Sequence, residues 1–157
     1  MIKFKNEPET WKRLDYEIIS RGFLKPYNDY QVLKDNTTVW LISEGYKIVT
    51  FDCAEWTDKK AMHSSLHDQF DFPNYYGQNW DALQDCLNEI EIQENGLVVI
   101  FDNFDSMNVK DAHTLIDVFV SSAQRHLIFS ERLLVLVKIK NRDFSLNPFG
   151  ANDFFWY

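Results

Sequence analysis

Phe72-Pro73-Asn74-Tyr75-Tyr76-Gly77-Gln78-Asn79-Trp80-Asp81-Ala82-Leu83-Gln84-Asp85-Cys86-Leu87 is the stretch on which the fold assignment turns. Its first half reads as a tight aromatic loop, because Pro73 fixes its own φ and Gly77 permits a backbone conformation that other residues avoid. Its second half opens a helix over residues 79–90, with Asn79 as the N-cap and Trp80, Leu83, Leu87 and Ile90 as one apolar stripe. Asp81 and Asp85 are four residues apart and Glu89 continues the row, so three carboxylates stack along one side of that helix. Like charges at this spacing weaken an isolated helix by about a few tenths of a kcal/mol. The helix dipole offsets this for Asp81 in the first turn, but not for Asp85 and Glu89. Such a row suits either a solvated face or an anionic ridge that meets a basic cleft. Of the two tyrosines ahead of it, one is expected in the core and the other as rigid contact area for a partner.

Outward from this stretch, residues 57–70 read as a helix through Met62, Leu66 and Phe70 at steps of four. On the other side, Leu97-Val98-Val99-Ile100-Phe101 is a continuous apolar run, as expected of a strand covered on both faces in a parallel sheet. Residues 109–128 form the next expected helix, with Ala112, Leu115, Ile116, Phe119 and Ala123 inward, and Leu133-Leu134-Val135-Leu136-Val137 the next strand. With a strand over 47–52, the order becomes β-α-α-β-α-β. The expected fold is therefore α/β, a small three-stranded parallel sheet packed by helices. Upstream, residues 8–22 read as a helix with Pro8 at its start and Gly22 at its end. A turn-rich stretch surrounds Pro26 and Asn28, residues 38–42 read as a strand, and Glu44-Gly45 as the turn of a hairpin. The expected organisation is an N-terminal helix-plus-strand extension (1–45), a core domain (46–142) and an aromatic tail (143–157), packed as one compact unit. The tail holds Phe144, Phe149, Phe154, Phe155, Trp156 and Tyr157, and is expected to dock on its own domain, since in water it would leave a sticky patch.

A chain of 157 residues with 45% hydrophobic and 16% aromatic residues fits one domain with a substantial core. No apolar run approaches the roughly 20 residues that span a bilayer, and Met1 to Glu7 has no apolar leader segment, so a cytoplasmic protein is expected. Two cysteines, Cys53 and Cys86, make neither a disulfide framework nor a metal-ligand pair. Charge is unevenly spread. Residues 61–109 hold no Lys or Arg and nine acids: Asp68, Asp71, Asp81, Asp85, Glu89, Glu91, Glu94, Asp102 and Asp105. The net −8 of the chain therefore lies in this zone, which repels phosphate backbones and attracts basic partners. Direct nucleic-acid binding and a membrane role are disfavoured.

The segment from Phe72 to Leu87 resembles the signature of the barstar family: Pro, a Tyr-Tyr-Gly turn, Asn at the helix start, Asp-Ala-Leu, then Asp and Cys before Leu. The resemblance continues more weakly over residues 46–142 through matching element order. It implies an intracellular inhibitor, a monomer when free, that binds a small basic ribonuclease or related toxin and sets its acidic helix and preceding loop into the active site. Carried over by position, Asp85 is the central anion, Asp81 the second, and Tyr75 and Asn79 flanking contacts; Gly77, Trp80, Gln84 and Glu89 complete the expected partner-binding set. The chain departs from the family where a partner-contacting Trp is replaced by Gln84, where a contacting Glu is replaced by Ser121, and where Trp80 replaces an aliphatic residue. Alternatives are an immunity protein for a toxin that is not a ribonuclease, or an interaction module without inhibitory activity.

Other chemistries find little support. His63 and His67 sit four apart with Asp68 and Asp71 nearby, which is compatible with a metal pair or with ordinary surface histidines. Cys86 on the apolar side of its helix is expected to be a buried structural thiol. A carboxylate-pair hydrolase needs two acids across a cleft, whereas Asp81 and Asp85 share one convex face. No enzyme activity, cofactor or metal is expected.

Overall fold

The computed structural model describes residues 1–93 and 95–146. Elements follow in the order α1 (Pro8–Trp11), α2 (Leu14–Ser20), β1 (Leu24–Tyr27), a π-helical segment (Val32–Thr38) running into α3 (Val39–Ser43), β2 (Lys47–Asp52), α4 (Lys59–Phe70), α5 (Trp80–Glu89), β3 (Leu97–Asp102), α6 (Val109–Ile128) and β4 (Leu133–Lys138). The sheet has four strands in the order β1-β4-β3-β2, and every pairing is parallel. β3 and β4 are central and buried along nearly their whole length. Alternate residues feed two cores. Leu97, Val99, Phe101, Leu133, Val135 and Val137 pack with α4, α5 and α6. Val98, Ile100, Leu134 and Leu136 pack with Ile18, Leu33, Leu41 and Tyr46 on the opposite face. Both faces being covered is why these strands read as unbroken apolar runs.

The sheet expected from the sequence had three strands, and the fourth lies in the segment expected as turns. β1 contains Pro26, which an edge strand tolerates. The Val135 amide donates to the Phe23 carbonyl at 2.9 Å and the Ile139 amide to the Tyr27 carbonyl at 2.9 Å. In parallel pairing this directs the odd-numbered residues of β1 toward β4 and the Pro26 nitrogen outward, so no ladder bond is lost. The expected strand over 38–42 is helical instead, and the hairpin at Glu44-Gly45 does not form. Leu33, Thr37 and Leu41 are buried at steps of four, and burial of this stripe overrides the β-branched composition of the stretch. Tyr27 anchors the segment, its hydroxyl 2.7 Å from the Thr37 hydroxyl, and burial pushes the phenol up to about 12.

The helix expected over 8–22 is interrupted. Arg13 is extended (φ −75°, ψ 140°) between α1 and α2, and its guanidinium binds Asp15 through two 3.0 Å contacts and Glu44 at 2.8 Å. Asp15 is fully buried. It also accepts from the Tyr46 hydroxyl at 2.7 Å and from Arg132 at 3.4 Å. These bonds join the N-terminal segment to the first and last strands of the segment from Tyr46 onward. Among the tail aromatics, Phe144 is buried and meets Phe104 edge-on at 5.7 Å; the other five lie outside the described residues. No helix among the described residues is long and apolar enough to cross a membrane.

Candidate partner-binding surface

α5 starts where Asn79 caps it. The Asn79 backbone is extended (φ −137°, ψ 171°), and its Oδ1 accepts from the Ala82 amide at 2.8 Å. Its Nδ2 donates to the Gly77 carbonyl at 3.3 Å. A Cβ on Gly77 would sit 3.1 Å from that Nδ2, so glycine here makes room for the cap. The left-handed residue of the loop is Gln78 (φ 50°), not Gly77. Upstream, the Tyr76 amide closes a turn onto the Pro73 carbonyl at 2.9 Å. The two tyrosines then diverge. Tyr76 is buried against Phe72 at 5.0 Å, while Tyr75 stands 78% exposed.

Along the helix, Leu83, Cys86 and Leu87 are buried and Trp80 is half-buried on the same core. Asp81, Asp85 and Glu89 are exposed on the outer side. Among the described residues, none of these three carboxylates has a hydrogen-bond or ion-pair partner. Four acids elsewhere, Asp15, Glu17, Glu44 and Asp111, engage Lys or Arg. Gln84, half-buried beside the ridge, donates to Asn88 Oδ1 at 3.1 Å. The far end of α5 is held by His126, whose Nε2 donates to the Leu87 carbonyl at 2.8 Å. Tyr75, Gly77, Asn79, Trp80, Asp81, Gln84, Asp85 and Glu89 thus all fall on one helix and the loop that leads into it. Ser121 is exposed on the neighbouring α6.

Two readings of the histidines and cysteines are refined. His63 is not a surface residue; it is 2% exposed, hydrogen-bonded through Nδ1 to the Tyr76 hydroxyl and edge-on to Trp80 at 5.6 Å. His67 turns instead toward Asp68, 3.3 Å away. Among the described residues, no group of three His, Cys, Asp or Glu is placed to hold a metal ion. Cys53 and Cys86 are free and buried, and burial raises both thiols above their usual range, which lowers thiolate reactivity. Sequence reasoning overlooked His63 because Met62, Leu66 and Phe70 already made a sufficient stripe. A wider stripe that adds residue 63 to 62, 66 and 70 would have placed it inward.

Residues 46–138, more than half of the chain, match the family described as Barstar (barnase inhibitor). The chain belongs to the barstar family. A 39-residue stretch is 44% identical to the Bacillus subtilis (strain 168) protein named "Putative ribonuclease inhibitor YrdF", covering 25% of this chain and 43% of that one. A chain in the "Structure of Drosophila ORC bound to AT-rich DNA and Cdc6" superposes with a TM-score of 0.50 and 19% identity, over 80% of this chain and 43% of that one. That second likeness is one of fold. The barstar-family segment contains β2, β3, β4 and the three helices of one face, while β1 and the helices over the other face precede it.

Proposed function

We propose that this barstar-family protein inhibits a small basic ribonuclease by presenting α5 and its preceding loop to the enzyme's active site. The observation that carries the reading is the exposed row Asp81, Asp85 and Glu89, left without a cation among the described residues on a helix whose preceding loop exposes Tyr75. A ribonuclease binds RNA phosphates with Arg and Lys, and carboxylates pair well with the same groups. In this reading Asp85 is the central anion, Asp81 the second, and Tyr75, Asn79 and Trp80 line the flank. The protein acts in the cytoplasm, free as a monomer, without enzyme activity of its own.

Gln84 and Ser121 favour a partner distinct from barnase. The Gln84–Asn88 pair offers a polar contact where the family carries a large apolar one. An immunity partner for another toxin that keeps a cationic site is the second reading. The test is an equimolar titration of barnase and several other small basic nucleases. Stoichiometric loss of activity for at least one is expected; full activity of all of them at equimolar mixing sinks the ribonuclease reading. A pull-down with the whole chain as bait then identifies the native partner.

A further inference from the structure

The loop that carries Tyr75 rests on side chains of α4: Ser64 accepts from Gln78 at 3.4 Å, His67 stacks on Tyr76 at 6.2 Å, and His63 lies deepest. His63 projects from α4, is 2% exposed, and bonds through Nδ1 to the Tyr76 hydroxyl. The His63 and Tyr76 rings lie 5.6 Å apart, and the same imidazole meets Trp80, the first residue of α5, at 5.6 Å. One ring therefore touches the residue after Tyr75 and the residue after the Asn79 cap. Resting on the inhibitor reading above, we propose that His63 is the positioning residue of that surface, and that a proton on its Nδ1 releases the loop from 73 to 79.

The chemistry follows from which atom can donate. Burial raises the Tyr76 phenol well above its usual range, so the hydroxyl keeps its proton and donates it. Nδ1 of His63 is then the acceptor, which puts the ring proton on Nε2. Protonating Nδ1 sets two donors face to face. The hydroxyl has to turn, and among the described residues its hydrogen then finds no other acceptor. The surroundings disfavour the cation too. Lys59, one turn back on α4, adds a like charge, while His67, one turn on, stacks at 6.2 Å on Tyr76 and faces Asp68 at 3.3 Å. From the loop comes the neutral Tyr76, and from α5 the neutral Trp80, with the Cys86 thiol beyond Tyr76. Among the described residues, no carboxylate bonds to the imidazole. Burial foremost, and then Lys59, holds His63 below its usual value.

The sign is therefore fixed. A histidine kept neutral in the closed loop and free to charge in the open one stabilises the closed form fully above pH about 6.5. That stabilisation fades as pH falls from there toward the lowered value. Within this window, loop opening rises about tenfold per pH unit.

The experiment is amide hydrogen exchange of the free full-length protein between pH 7.5 and 5, corrected for intrinsic exchange, on wild type, H63Q and Y76F. In wild type, opening of residues 74–80 is expected to rise toward low pH, by no more than about tenfold per pH unit, while β3 and β4 amides hold. H63Q, which cannot charge, is expected to remove that pH dependence. Y76F, which lacks the hydroxyl, is expected to open the loop more already at pH 7.5. A wild-type loop indifferent to pH, or an H63Q loop with the wild-type profile, overturns the proposal. These readouts need no partner, so they stand apart from the ribonuclease titration. Where barnase or another tested nuclease is inhibited, inhibition is expected to weaken below pH about 6.5 in wild type more than in H63Q.

Discussion

Among single residues, burial separates the acids of this chain into two kinds. Asp15 is fully buried and bonds Arg13, Arg132 and Tyr46. D15A leaves two guanidinium groups without their shared partner, and a loss of about 3–5 kcal/mol of stability is expected in urea unfolding. Asp85 is exposed and, among the described residues, unpaired, so D85A is expected to leave unfolding almost unchanged. Its effect belongs to binding: in an inhibition titration D85A is expected to cost about 2 kcal/mol or more, a hot-spot magnitude, and E89A under about 1. The barnase–barstar complex is itself among the systems behind such figures for interfacial charges. Equal and negligible effects of the two changes would move the interface off α5. Which acids were free was half legible in the sequence. The absence of Lys and Arg from 61–109 pointed to the ridge, but nothing in local spacing revealed that Asp15 would meet Arg132, 117 residues away.

At the scale of elements, helix ends decide what the ridge can present. Asn79 satisfies the Ala82 amide, and N79A is expected to cost about 0.5–2 kcal/mol in denaturant unfolding and to loosen the approach to Asp81. α4 ends differently. Asp71 closes it in the left-handed region (φ 52°, ψ 49°), with the Phe72 amide bonded to the His67 carbonyl at 3.1 Å. D71G places at that position the residue that adopts this conformation freely, and a gain of up to about 1 kcal/mol is expected as a raised unfolding midpoint. α4, α5, α6 and the strands they serve were legible from periodicity and caps, because each buries a face long enough for the 3.6- or continuous-run pattern to show. The N-terminal elements were not. β1 has four residues including a proline, and residues 38–42 carry a strand-like composition that helical burial of Leu33, Thr37 and Leu41 overrules.

For the whole molecule, the N-terminal segment supplies one of the two layers over the sheet. Its Ile18, Tyr27, Leu33 and Leu41 cover Val98, Ile100, Leu134 and Leu136, and β1 closes the β4 edge. A chain starting at Tyr46 uncovers this face and edge, and is expected to bind a hydrophobic dye and self-associate where the full chain does not. Charge acts on the same scale. With −8 overall and nine acids between residues 61 and 109, partner affinity is expected to fall as salt rises from low to physiological concentration, mainly through a slower on-rate. An affinity indifferent to salt would argue for an apolar interface instead. The sequence by itself determined the parallel α/β frame from Lys47 to Lys138, the cap of α5 and the carboxylate row, because these follow from short-range periodicity and from which residues lie within a few turns of one another. Only the tertiary structure decided the fourth strand, the helix at 39–43, the burial of Asp15 and the contact of His63 with the loop. Each depends on groups far apart in the chain meeting in a dry interior, where pairing and burial outweigh local preference.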